Sequence, residues 1–125
     1  MAVVAPILIT LIFGIVEFGW TMMIRQSLVN AARDGCRTAV IRYTSTSMLE
    51  QAVRNRINSI LAPIGLSVDE EVTLEMDHAA NPPMAPNDME TVTLSVPLGT
   101  VSLLGDFFGL GDVNMQATCT MRKEQ

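Results

Sequence analysis

One histidine, His78, and two cysteines, Cys36 and Cys119, are all that this 125-residue chain holds of those types. A His-based metal cluster is therefore excluded, and two cysteines make neither a disulfide framework nor a zinc signature. Phosphate-cradling glycine motifs and nucleophile elbows do not occur. The acidic run Asp69-Glu70-Glu71, with Glu75 and Asp77, reads as a solvated strand edge, since a hard-cation site needs several oxygens converging from loops. No residue is assigned a catalytic, cofactor-binding or metal-binding role, and an enzyme is not expected. Basic residues are also few, eight against thirteen acidic. The resulting charge of -5 argues against nucleic acid as a partner.

Charge is scarcest at the start. From Met1 to Ile24 the only ionisable side chain is Glu17, and the run closes on Arg25. Such a run reads as a membrane-spanning helix, about 36 Å long at 1.5 Å per residue against a hydrocarbon core of about 30 Å. A signal peptide fits poorly, because no Lys or Arg precedes the run and the run is too long. A buried core helix would need a larger body than the remaining hundred residues supply. Pro6 is tolerated if the helix begins near it. Gly14 and Gly19 permit close helix–helix approach. Glu17 either reaches the interface marked by Trp20 and Arg25 or points at a cation or amine of a neighbouring subunit.

Charge separates along the remainder. Six of the eight basic residues lie between Arg25 and Arg56, and nine of the thirteen acidic ones between Asp69 and Asp112. Opposite patches on one molecule suit head-to-tail packing, although solvated faces produce the same separation.

Leu28, Ala32, Gly35 or Cys36, Ala39 and Tyr43 keep helical spacing, so the first helix extends to about Tyr43. Ser47 and Glu50 form a capping box that opens a second helix, with Leu49, Val53, Ile57, Ile60 and Leu61 on one face. Pro63 and Gly65 end it. From Val68 the period becomes two: Val72, Leu74 and Met76; then Val92, Leu94 and Val96; then Val113, Met115, Ala117, Cys119 and Met121. Three half-buried strands read as an antiparallel meander, covered by the second helix and the outer half of the first. The fold class is α+β. His78 falls in a polar loop. The apolar stretch Leu98 to Leu110 folds back as a lid on the sheet, or is an exposed patch that meets another subunit or the membrane surface, with Phe107 and Phe108 as the head contact. Cys119 points inward and Cys36 lies near the apolar stripe, so either a disulfide or two buried thiols result.

The segment Ile12-Phe13-Gly14-Ile15-Val16-Glu17-Phe18-Gly19, after Val4-Ala5-Pro6 and before Asn30-Ala31-Ala32-Arg33-Asp34-Gly35-Cys36-Arg37, resembles the TadE-like proteins. These are pilin-like minor subunits of tight-adherence (Tad) pilus systems. The likeness covers residues 1 to about 43, and Ala117 to Glu124 resembles the family's closing strand. It implies a pilin-like subunit: residues 1–25 a transmembrane or filament-core helix, and 26–125 an extracytoplasmic head that includes the outer part of that helix. Subunit packing would fall to Gly14, Glu17, Phe18, Gly19 and Trp20. Implied partners are other pilin-like subunits, inner-membrane assembly machinery, and a prepilin peptidase if a leader exists. Implied roles are adhesion and biofilm formation, from the bacterial inner membrane and then an extracellular filament. Family members carry a basic leader and peptidase site before the position matching Met1, and this sequence shows neither. Arg25, Arg33 and Arg37 after the span would by themselves favour a cytoplasmic carboxyl end, an asymmetry that a removed basic leader would reverse. The alternative is a single-pass membrane-anchored adaptor that never enters a filament.

Overall fold

In the computed structural model, residues 3–41, 45–78, 89–103 and 111–123 are described. The chain is α+β: helix α1 (Val4–Ala39), helix α2 (Thr46–Leu61), strand β1 (Thr73–His78), strand β2 (Met89–Pro97), a short helix α3 (Leu98–Val101) and strand β3 (Asn114–Arg122). The single sheet is an antiparallel meander in the order β1-β2-β3.

Helix α1 has 36 residues, about 54 Å at 1.5 Å per residue. Pro6 is its third residue, where an amide has no intrahelical carbonyl to bond. The helix changes character at Ile24. Before it the apolar side chains stand exposed, apart from the half-buried Trp20; from it onward Ile24, Leu28, Ala31, Ala32, Gly35, Cys36 and Ala39 are buried. Their spacing is the helical stripe read from the sequence. The helix stops at Ala39, short of the expected Tyr43, which lies outside the described residues. The Val40 amide still bonds the Cys36 carbonyl, and Ile41 tightens onto Thr38. Ile41 is exposed.

Helix α2 is capped two residues earlier than expected. Ser45, in extended conformation, accepts a hydrogen bond from the Met48 amide at 3.4 Å. Ser47 lies inside the first turn, where its hydroxyl meets that of Ser45 at 3.2 Å. Leu49, Val53, Ile57 and Leu61 are fully buried, each worth about 1.5–3 kcal/mol of apolar transfer. A 3-10 turn over Ala62–Ile64 and Gly65, at φ 75°, end the helix as the sequence implied.

The strands alternate as expected. In β2, Val92, Leu94 and Val96 point inward. The opposite face carries hydroxyl pairs across the ladder, Thr91 with Thr120 at 3.0 Å and Thr93 with Thr118 at 3.3 Å. Helix α1 lies against β2 and β3, and α2 packs along α1. His78 is the last residue of β1, opposite Glu90, rather than in a loop, because β1 pairs with β2 along its whole length. Asp69 and Glu71 belong to a tight turn instead of a strand edge: the Asp69 amide bonds the Val72 carbonyl at 2.9 Å. There Asp69 takes a left-handed φ of 79° and pairs with Arg54.

Candidate functional site

The sequence places five packing residues on the apolar half of α1, and the structure divides them by what they touch. Gly14 and Gly19 face open space, with nothing within 4 Å of an added Cβ. Pro6, Thr10 and Gly14, spaced by four, form the floor of an apolar groove walled by Ile7, Leu11 and Ile15. Thr10 turns its hydroxyl onto the Pro6 carbonyl at 2.9 Å, so this floor is apolar in effect. Phe18 is 69% exposed. A helix surface of this kind is stable only against lipid or another helix.

Glu17 and Trp20 behave differently. The Glu17 carboxylate accepts from the Ser102 hydroxyl and from the Leu103 amide, the latter at 3.2 Å. The Trp20 indole N–H donates to the Val101 carbonyl at 2.7 Å. These bonds span 81 to 86 residues of chain and clasp the turn after α3 onto α1. Glu17 is thus held within its own chain, by partners that no local pattern in the sequence indicates. Ser102 and Leu103 lie in the stretch read as a lid on the sheet; its described part, residues 98–103, meets β2 but is bonded to α1, with Val101 buried. Phe107 and Phe108, the expected head contact, lie outside the described residues.

The second motif, residues 30–37, has a packing role. Gly35 lets α2 approach until Ile57 Cδ1 lies 3.0 Å from where a Cβ would stand. Asp34 ties the same crossing from outside, accepting from Arg56 Nε at 2.9 Å. Part of the charge separation seen in the sequence is satisfied in cis, through Asp69–Arg54. Asn30 and Arg33 point outward.

At the far end of the sheet, Lys123 meets Glu90 at 2.8 Å, both buried. Beside them the Cys36 thiol donates to the Cys119 carbonyl at 2.8 Å, and both cysteines are free thiols. Burial, with the Cys119 side chain adding to it, pushes the Cys36 thiol up to about 12 from its ordinary 9.0. The unfolded chain releases this proton above about pH 9 and the folded chain does not. Stability from this site is therefore complete below about pH 9 and lost as pH rises toward 12. Urea unfolding of the reduced protein between about pH 8 and 11 should show that slope, absent in Cys36→Ala. Equal slopes in the two proteins would contradict it.

Among the described residues no group of three or more His, Cys, Asp or Glu is placed to hold a metal ion. What the arrangement offers is a bare apolar helix, long enough to cross a membrane, clasped at its midpoint to a small α+β head. A family model, TadE-like protein, matches residues 1–37, which include both motifs. Neither the curated proteins nor the solved structures contain a match. The amino-terminal segment, residues 1–37, is thus similar to the TadE-like proteins.

Proposed function

We propose that this chain is a structural, pilin-like subunit of a Tad-type pilus or of the complex that initiates its assembly, serving adhesion and biofilm formation. The observation that carries this reading is the coincidence of the TadE-like match with the exposed apolar half of α1. The family is a structural pilus component, and the role needs no chemistry. Before assembly, residues 1–25 anchor the protein in the bacterial inner membrane, with 26–125 as the extracytoplasmic head. On assembly the groove around Thr10 and Gly14, with Phe18 and Gly19, packs against helices of neighbouring pilin-like subunits. Small residues allow close approach where no water drives association. Inner-membrane assembly machinery would extract the helix, and a prepilin peptidase would act first on any leader.

Shearing native cells and weighing the intact protein in the released fraction tests the reading. A processed chain in that fraction is the expected result. A deficit of about two daltons would further report a disulfide between Cys36 and Cys119, each thiol giving up one hydrogen to an extracytoplasmic thiol oxidase. An unprocessed protein confined to the membrane pellet would sink the filament role and favour a membrane-anchored adaptor.

A further inference from the structure

We propose that the head is seated in the bilayer rather than held clear of it: the turn at Ser102 and Leu103 occupies the interfacial layer of the leaflet where α1 emerges, with Leu103 as its apolar contact. The inference rests on the reading of α1 as a membrane span and deepens it.

Depth along α1 carries the argument. A hydrocarbon core needs about 20 apolar residues, so a span that begins at Val4 extends to about Met23. Arg25 follows directly. Glu17 and Trp20, the two residues that clasp the turn, lie about 9 Å and about 4.5 Å on the membrane side of Met23. The exposed flank of α1 agrees. At the same height Phe18, Met22 and Met23 keep 69%, 38% and 39% exposure and need an apolar environment. A membrane that covers Phe18 and Met22 on one side of the helix reaches the turn docked on the other.

The turn is built for that depth. Leu103 is 56% exposed although its amide is engaged by Glu17, so its side chain points outward from a fixed backbone. Val113 is also exposed at this end of the sheet, its carbonyl accepting from the Leu98 amide at 2.7 Å. Inward of this apolar rim, Ser102 and Leu103 give the Glu17 carboxylate two donors. A carboxylate at the acyl boundary is costly without such partners. Trp20 shows the arrangement typical of an interfacial indole, its ring against apolar surface and its N–H bonded. The occupant of this rim is the lipid that surrounds the span.

Photocrosslinking reads this contact without disturbing the clasp. The full chain is reconstituted in vesicles of phosphatidylethanolamine and phosphatidylglycerol, with p-benzoylphenylalanine placed in turn at positions 103, 15 and 48. All three native residues are similarly exposed: Leu103 56%, Ile15 64% and Met48 59%. Ile15 is in the span, and Met48 lies in the first turn of α2, away from the clasp. Lipid adducts, read by intact mass, are expected at 103 and 15, with loss of the adduct at 48. Adducts at 15 alone would overturn the seated head while leaving the span intact. A protein–protein adduct at 103 would also overturn it, by assigning the rim to a second copy. Loss of adducts at all three positions would remove the membrane span itself, and this inference with it.

Discussion

Lys123→Met is expected to cost the head about 3–5 kcal/mol of stability, the largest effect of any single replacement at the far end of the sheet. The Lys123 ammonium and the Glu90 carboxylate lie 2.8 Å apart with side chains only 10% and 2% exposed. Removing the cation takes away the ammonium that lies 2.8 Å from a buried carboxylate, and the desolvation penalty it helps to offset is several kcal/mol per ion. The pair itself need not add net stability, because its desolvation cost and its attraction are of similar size. The double variant Glu90→Leu/Lys123→Met is accordingly expected to unfold close to the parent. Urea titration of the full chain in detergent, followed by circular dichroism, gives both midpoints. A single variant as stable as the parent, or a double variant as weak as the single, would contradict this account. Glu90 stands at the start of β2 and Lys123 just past β3, so the pair closes the end of the sheet farthest from the clasp.

Ile57→Ala is expected to cost about 2–5 kcal/mol, because it opens a cavity where α2 packs on α1 at Gly35. Ile57 is fully buried, and its Cδ1 lies in the notch that Gly35 leaves. The partner position behaves differently. Gly35→Ala gains about 1 kcal/mol of helix propensity, but its Cβ would meet Ile57 Cδ1 at 3.0 Å and Cγ1 at 3.3 Å. The conflict is with the far end of a side chain that can turn, so the net change is expected to stay within about 1 kcal/mol. Ile57→Val removes the Cδ1 atom that crowds that Cβ. Combined with Gly35→Ala it should therefore be more stable than the two separate changes add up to. Strict additivity across that double-mutant cycle would show that the notch is not shared.

Much of this architecture was legible because it repeats. The stripe Leu28, Ala32, Gly35, Cys36 and Ala39 and the alternation through Val92, Leu94 and Val96 are periodic, and period reports which face meets the core. The helix ends were read less well. Ser47 and Glu50 satisfy the capping-box pattern as written, yet Ser45 holds the cap, since a neighbouring serine competes for the same role. The composition around His78 is that of a loop, and strand pairing with β2 overrides it.

The sequence by itself determined the apolar span, the two-helix and three-strand order, the α+β class and the TadE-like motifs, all carried by runs, periods or short spacings. Only the tertiary structure decided what those motif residues touch. Glu17, read as reaching for an interface or a neighbouring subunit, is bonded to Ser102 and Leu103 of its own head. Asp34 and Gly35 became one crossing with Arg56 and Ile57, and the buried pair Glu90–Lys123 was not foreseen. The reason is physical. Hydrogen bonds and ion pairs between residues 20 to 90 positions apart leave no period in the chain, and which donor meets which acceptor is set by how α1 lies across the sheet.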